Sequence, residues 1–249
     1  MNRASLTAPK SLNRPTVDLP QTITEAIHQL PSNWVDLAYA SFEGWVEASW
    51  EDFLAIAGEQ ASDGLPRTKG YYHNQKMHLA MVPLGYNHSR QNSAPVYVVS
   101  LYATFQKLSF IQCINATLRK SGQTESQPDL SIYIGTNKRL PSDSDGKVIN
   151  LDQCDPPSLV VEIAETSLAD DLGPKRSLYQ DLGIEEYWVI DTPRRSLIAF
   201  DLTPEVPQEL TISKVLPGLD LAIVIEALRR TDDNNDAATT LWLIELFRR

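Results

Sequence analysis

The sequence contains little cysteine. Among its 249 residues only Cys113 and Cys154 are cysteines, and neither lies in a CxxC pair or a Cys/His cluster. A disulfide framework and a structural zinc site are therefore not indicated. The first 20 residues lack an apolar core of signal-peptide length, and no apolar stretch is long enough to span a bilayer. We therefore expect a protein of the reducing cytoplasm that is neither secreted nor membrane-bound.

Positive charge is also scarce. The chain has 22 Lys and Arg against 32 Asp and Glu, which gives a formal net charge of −10. Its basic residues form only short clusters, such as Lys175-Arg176 and Arg229-Arg230. Strong non-specific binding to duplex nucleic acid depends on a basic face that releases counterions. The charge balance therefore counts against that mode of binding.

Several common catalytic motifs are missing. The sequence has no GxSxG elbow, no GxxxxGKS phosphate loop and no GxGxxG fingerprint, and its four histidines show no HExxH spacing. We single out His88, in the loop predicted before a helix that starts at Pro95, as a candidate site residue. A helix-capping or surface position is the alternative for this histidine.

The composition is that of a globular protein, with 42% hydrophobic and 22% charged residues. Residues 1–20 carry Pro9, Pro15 and Pro20 among polar residues and show little periodicity, which predicts a poorly ordered tail. We expect residues 21–249 to form one α/β domain.

Local patterns predict the main elements before the middle of the chain. Ser49 is a good N-cap for a helix over residues 50–57, since Asp52 follows three residues later. Asn74-Gln75 predicts a hairpin turn between two strands. Pro95, followed by apolar residues at helical spacing, predicts a helix to about Lys107.

A strand–helix–strand unit is predicted next. Residues 158–164 form a near-continuous apolar run, which is typical of a strand buried on both faces. Residues 168–182 are predicted to be helical and to end at Gly183. Strands are then expected at residues 186–191 and 195–202, with two terminal helices at 219–230 and 237–247.

Two acids and a lysine stand out against this background. Asp129 begins a predicted strand, and Glu162 is the one acid inside the apolar run. An ionised carboxylate buried there needs a partner, a metal ion or a raised pKa; a salt bridge or a water-facing edge position is the alternative. Lys175, on the following helix, could reach back over the strand end, although a solvent-facing lysine is the ordinary interpretation. Asp171 lies four residues before Lys175, so the two would share a helix face.

These motifs closely resemble a large bacterial family of putative restriction-endonuclease-like proteins, long carried as a domain of unknown function. Its members look like E-[VI]-x-[DE]-[ST]-[ST]-L, then D-x-x-x-K-x-x-x-Y, then G-[IV]-x-E-Y-W-x-[VI]-D. The matching positions here are Glu162 to Leu168, Asp171 with Lys175 and Tyr179, and Gly183 to Asp191. The strand Pro128 to Gly135 matches as well. The resemblance covers roughly residues 45–249.

The resemblance implies the PD-(D/E)XK nuclease fold, a mixed central sheet flanked by helices, here with helices at the C-terminus. It implies that Asp129, Glu162 and the Ile163 carbonyl bind Mg²⁺ or Mn²⁺, and that Lys175 assists the attacking water. A nucleic acid is the implied substrate, DNA ahead of RNA. A homodimer is expected by analogy with nucleases that cut two strands.

The sequence departs from the pattern at two positions. The standard E-x-K lysine would fall at Ala164, so Lys175 is its substitute. Relatives often carry an acid where this chain has Ala80, and Glu51 is the candidate replacement. These departures and the charge of −10 leave two alternatives to a nuclease: a catalytically weakened or inactive member that serves as a binding module, and an enzyme for another phosphoester.

Overall fold

The computed structural model describes residues 17–58, 64–82, 85–142 and 148–248. The chain divides into two units, Met1–Met81 and Val82–Arg249. Most of the tail predicted at residues 1–20 lies outside the described residues, and the single domain expected for residues 21–249 stays a prediction. Across the described ranges, no helix is long and apolar enough to cross a membrane.

The first unit packs three helices on a small antiparallel sheet. Its elements are α1 (Gln21–Ile27), α2 (Ser32–Glu43), β1 (Val46–Glu47), α3 (Trp50–Ala57), β2 (Thr68–His73) and β3 (Lys76–Met81). Strand β3 pairs with both β1 and β2. The predicted start of α3 is confirmed, because Ser49 and Asp52 form a complete capping box. The predicted hairpin is also confirmed, with Asn74 and Gln75 both at positive φ as a type I′ turn requires.

The second unit is built on a six-stranded mixed sheet. Its elements up to this sheet's last strand are α4 (Tyr86–Phe105), β4 (Phe110–Ile114), β5 (Leu118–Lys120), β6 (Thr124–Ser126), β7 (Leu130–Ile134), β8 (Ile149–Asn150), β9 (Leu159–Ala164), α5 (Leu168–Leu172), α6 (Pro174–Asp181), β10 (Glu186–Asp191), β11 (Ser196–Asp201) and β12 (Gln208–Glu209). The C-terminal helices α7 (Ala222–Arg230) and α8 (Asp236–Phe247) follow. The strand order in the sheet is β12-β11-β10-β9-β7-β4, with β9 and β10 parallel.

Each face of this sheet is covered by helices. One face contributes alternate apolar residues such as Val161, Ile163 and Trp188 to a core shared with α4, α7 and α8. Helices α5 and α6 lie on the opposite face, where Leu178 and Tyr179 are fully buried. The predicted class, a mixed sheet between helices with helices at the C-terminus, is confirmed.

The start predicted for the long helix is wrong. Helix α4 begins at Tyr86 and Pro95 lies inside it. A proline inside a helix costs a hydrogen bond and crowds the preceding turn, which is why the sequence favoured a start there. The polar first turns are held by remote partners instead: Arg90 forms an ion pair of 2.7 Å with Asp236, and the Tyr86 hydroxyl donates to Asn234.

The helix predicted over residues 168–182 is two helices. Helix α5 ends at Leu172, and Gly173, at φ −110° and ψ −102°, separates it from α6, which begins at Pro174. Proline is well suited to a first helical position because its missing N–H is not needed there. The predicted glycine stop is confirmed, with Gly183 at φ 80°.

A buried carboxylate ties β10 to a loop. Glu186 is fully buried, and its two oxygens accept hydrogen bonds from Trp188 Nε1, Ser213 Oγ and the backbone N–H groups of Lys214 and Val215. Burial raises the pKa of Glu186, and these hydrogen bonds oppose the rise. All its donors are neutral or backbone groups, so this carboxylate has a structural role.

We predict that Glu186→Gln destabilises the protein by about 2–3 kcal/mol. An amide oxygen can accept from the backbone of Lys214 and Val215, but the amide nitrogen then faces the Trp188 N–H, leaving two donors together. Denaturant unfolding measures the change. The neighbouring Glu185→Gln is the matched control, since Glu185 is partly exposed; an equal loss in both variants would contradict the prediction.

A second buried acid, Glu125 on β6, forms an ion pair with Arg119 on β5. Burial raises the pKa of the Glu125 carboxyl from 4.5 to about 7, against the opposing effect of Arg119. Ionisation is therefore harder in the folded chain than in the unfolded one. The stability contributed by this group is present below pH 4.5 and is lost as the pH rises to about 7.

We predict that Glu125→Gln flattens the dependence of the unfolding free energy on pH between 4.5 and about 7. The wild type should lose up to about 3 kcal/mol more than the variant across this window. Chemical denaturation at a series of pH values measures the difference. Glu209→Gln, an exposed strand position, controls for the removal of one charge, and parallel curves for wild type and Glu125→Gln would refute the assignment.

Candidate active site

Strand β9 places Glu162 at the centre of the sheet. It lies between β7 and β10, all six of its residues are buried, and Glu162 itself is 2% exposed. The predicted central strand is confirmed, and a water-facing edge position for Glu162 is excluded. Because side chains alternate along a strand, Glu162 points away from Val161 and Ile163 and toward the face covered by α5 and α6.

Asp129 lies beside Glu162 across the strand pair. Leu130 pairs with Val161 in the antiparallel ladder, so the preceding Asp129 occupies the position opposite Glu162. The carboxylate of Asp129 accepts a hydrogen bond of 2.8 Å from the Ile163 N–H. The N–H and C=O of a strand residue point to the same side of the strand, so the Ile163 carbonyl also faces the Asp129 side. The structure thus places Asp129 and the Ile163 backbone beside the strand position of Glu162.

Lys175 reaches Glu162 from the first turn of α6. Its Nζ lies 3.6 Å from Glu162 Oε1 and 2.7 Å from Asp171 Oδ1, and both Lys175 and Asp171 are buried. Asp171 also accepts a hydrogen bond of 2.6 Å from Ser167 Oγ. A solvent-facing Lys175 is therefore excluded. Asp171, expected on the same helix face as Lys175, lies on α5 instead and pairs with Lys175 across the break at Gly173. Glu162 therefore forms an ion pair with Lys175, as the alternative interpretation expected. Lys175 is itself a candidate site residue, so this ion pair does not exclude a functional site.

Tyr179 is the residue of the cluster to which the sequence assigned no role. Its hydroxyl donates a hydrogen bond of 2.6 Å to Glu162 Oε1, the oxygen that Lys175 approaches. Its ring packs against Tyr187, whose hydroxyl donates to the Asp171 backbone carbonyl. The spacing of four residues between Lys175 and Tyr179 was the available signal, since it places both on one face of a helix.

His88 occupies a different environment from the one predicted. It lies in the first turn of α4, not in a loop, and it is 5% exposed. A surface role is therefore excluded, and α4 has no side-chain hydrogen bond at its N-cap. His88 Nε2 lies 3.5 Å from Asp129 Oδ2, which places the imidazole beside the predicted metal ligands.

The side chains alone do not form a compact metal cluster. Within the described ranges, no group of three or more His, Cys, Asp and Glu side chains is arranged to hold a metal ion. The predicted ligand set contains two carboxylates and a backbone carbonyl, and Glu162 is hydrogen-bonded to Tyr179. Metal binding by Asp129, Glu162 and Ile163 therefore stays a prediction.

Comparison with known proteins identifies the family. The family model Uma2, described as "Putative restriction endonuclease", matches residues 50–229. The chain belongs to this family. The resemblance read from Glu162 to Asp191 is confirmed, and the Uma2 match includes each residue of the cluster.

A solved structure also resembles this Uma2 chain. It is the crystal structure of a putative nuclease of DUF820 from Anabaena variabilis, with a TM-score of 0.48 and 15% sequence identity. The likeness covers 64% of this chain and 90% of the other. No curated protein matches the chain.

Relatives often carry an acid at the position of Ala80, and Glu51 is its candidate replacement. Both residues lie in the first unit. Ala80 is on β3, opposite Lys69 of β2. Glu51 is an exposed residue in the first turn of α3, where a carboxylate interacts favourably with the helix N-terminus. That interaction accounts for Glu51 without a role in metal binding, so its compensation for Ala80 stays a hypothesis.

We predict that Tyr179→Phe destabilises the protein more than Tyr187→Phe. Both changes remove only a buried hydroxyl, but that of Tyr179 donates to a carboxylate and that of Tyr187 to a backbone carbonyl. The expected losses of unfolding free energy are about 1.5–3 and about 0.5–1.5 kcal/mol. Parallel denaturant titrations measure both. A larger loss in Tyr187→Phe would show that the Glu162 contact contributes little.

Proposed function

We propose that this Uma2 protein is a divalent-metal-dependent nuclease that hydrolyses phosphodiester bonds, with DNA the expected substrate ahead of RNA. The observation that carries the proposal is the buried position of Glu162 beside Lys175, with Asp129 hydrogen-bonded to the N–H of the next residue, Ile163. Restriction-endonuclease-like families generally use divalent metals, and the family match supports the same class of chemistry here.

The chemistry of the donor set fits a divalent ion. Asp129 and Glu162 supply carboxylate oxygens, and the Ile163 carbonyl faces the same side of β9 as the Asp129 contact. Oxygen donors of this kind suit Mg²⁺ and Mn²⁺. A bound ion of this class supplies Lewis-acid polarisation of a phosphate and lowers the pKa of a bound water.

The side chains around the carboxylates have distinct tasks in this proposal. The Ile163 N–H fixes the Asp129 carboxylate, and the Tyr179 hydroxyl fixes Glu162. Lys175, held by Asp171, keeps an ammonium 3.6 Å from Glu162, where it stabilises negative charge that develops on a phosphate. Its near-complete burial strengthens that effect, since charges interact more strongly away from water.

The proposal predicts cleavage that depends on Mg²⁺ or Mn²⁺ and on both carboxylates. Purified protein is incubated with single- and double-stranded DNA and with RNA, with metal or with chelator. Glu162→Gln and Asp129→Asn should each lower the rate at least about 100-fold, because a loss of about 3 kcal/mol of transition-state stabilisation corresponds to that factor. Glu185→Gln should cleave as the wild type does. Absence of cleavage with every substrate and metal, or unchanged rates in both variants, would contradict a nuclease.

The second candidate is an inactive family member that serves as a binding module. One observation favours it: Glu162 is engaged by Tyr179 and Lys175, and Asp129 by the Ile163 N–H, so the cluster has the hydrogen bonding of a structural network. Calorimetric titration with Mn²⁺ distinguishes the two candidates. Tight binding that is lost in Asp129→Asn argues for the nuclease, and no binding argues for the module.

A further inference from the structure

His88 carries a buried nitrogen atom that the protein leaves without a hydrogen bond. Within the part of the chain that the structure describes, Nε2 of His88 has no hydrogen-bond partner, and the side chain is 7% exposed. A buried nitrogen without a hydrogen bond destabilises the folded state, because the atom loses its contact with water and gains nothing in return. A bound water or a bound ion is the ordinary explanation of such an atom.

The neighbouring carboxylate lies within ion-pair distance of this nitrogen but forms no hydrogen bond with it. Asp129 Oδ2 lies 3.5 Å from His88 Nε2, beyond the usual hydrogen-bond range of about 2.7–3.2 Å. The same oxygen accepts from the Ile163 N–H at 2.8 Å. Two atoms that each bind one ion at about 2.1 Å, at an angle of about 90–110°, are about 3.0–3.4 Å apart. The observed separation is close to that of two ligands on a common ion.

The position of His88 on α4 aims it at the sheet. Residues His88, Gln91, Ala94 and Val98 follow helical spacing and are all buried. The apolar members pack against the sheet in the core of the second unit. His88 is therefore the polar end of a sheet-facing stripe, and this stripe meets the sheet where Asp129 precedes β7.

We infer that His88 is a ligand, through Nε2, of the divalent ion bound at Asp129, and that the site prefers a first-row transition-metal ion to Mg²⁺. This inference rests on the metal site of the proposed function and names its ion. Imidazole nitrogen is a good ligand for transition metals, whereas Mg²⁺ strongly favours oxygen. A set of one nitrogen, one carboxylate and a carbonyl is thus selective where an all-oxygen set is not.

The test uses Mn²⁺ as a paramagnetic probe on metal-stripped full-length protein. Pulsed electron paramagnetic resonance of the Mn²⁺ complex should show coupling to an imidazole nitrogen. His88→Gln should remove that coupling and weaken Mn²⁺ binding on the order of tenfold. Competition should show that Mg²⁺ binding changes less than about twofold, because Mg²⁺ gains little from a nitrogen ligand. His28→Gln is the matched control, since His28 is an exposed residue of the first unit.

Each outcome has a separate meaning. Mn²⁺ binding without imidazole coupling in the wild type, or coupling that persists in His88→Gln, would overturn the ligand assignment and leave the proposed function standing. No Mn²⁺ binding by the wild type would overturn both. The wild-type spectrum needs no variant, so the inference remains testable even if His88→Gln fails to fold.

Discussion

A carboxylate inside a fully buried strand of the second unit determines much of the structure around it. Glu162 lies on β9, whose six residues are all buried. An ionised carboxylate moved from water into such a place loses several kcal/mol of solvation unless other groups replace the water. The Tyr179 hydroxyl and the Lys175 ammonium both contact Glu162 Oε1, and both come from α6. The burial of Lys175 in turn requires Asp171, which closes the network through α5.

The break between α5 and α6 is part of the same constraint. Asp171 precedes the break at Gly173 and Lys175 follows it, yet the two side chains still meet at 2.7 Å. Two short helices thus place the Asp171 carboxylate and the Lys175 ammonium against β9. Glu186, on the parallel neighbour β10, shows the contrast. Its four donors are neutral side chains and backbone N–H groups, an arrangement that stabilises a loop and includes no second carboxylate.

The parts of this arrangement that depend on local patterns are visible in the amino-acid sequence. The buried run of β9, the capping box at Ser49 and the turn at Asn74-Gln75 each have a signature within a few residues, and each was predicted correctly. Asp129, Glu162 and Lys175 were also selected from their types and spacing, and the structure brings them together. Their catalytic and metal-binding roles are still predictions.

The features that sequence missed depend on contacts between distant segments. The first turns of α4 lack an apolar stripe, and nothing near them in the sequence indicates Asp236, which lies 146 residues from Arg90. Without that partner, Pro95 was the strongest local signal for a helix start. The hydroxyl of Tyr179 likewise acquires its meaning only when α6 packs over β9. The short strands β5 and β6 have three residues each, too few for a periodic pattern to emerge.

The incorrectly predicted start of α4 and the position of His88 have one physical origin. His88 faces Asp129 only because the residues before Pro95 are helical, and that helical segment is held by Arg90 through Asp236 in the first turn of α8. The Tyr97 hydroxyl donates to the same carboxylate from the far side of Pro95, so Asp236 spans the proline with two contacts. The C-terminal helix therefore contributes to the position of a nitrogen atom beside Asp129. A chain with an extended segment before Pro95 would keep Asp129 and Glu162 opposite each other on the sheet, but it would lose the contact between His88 and Asp129.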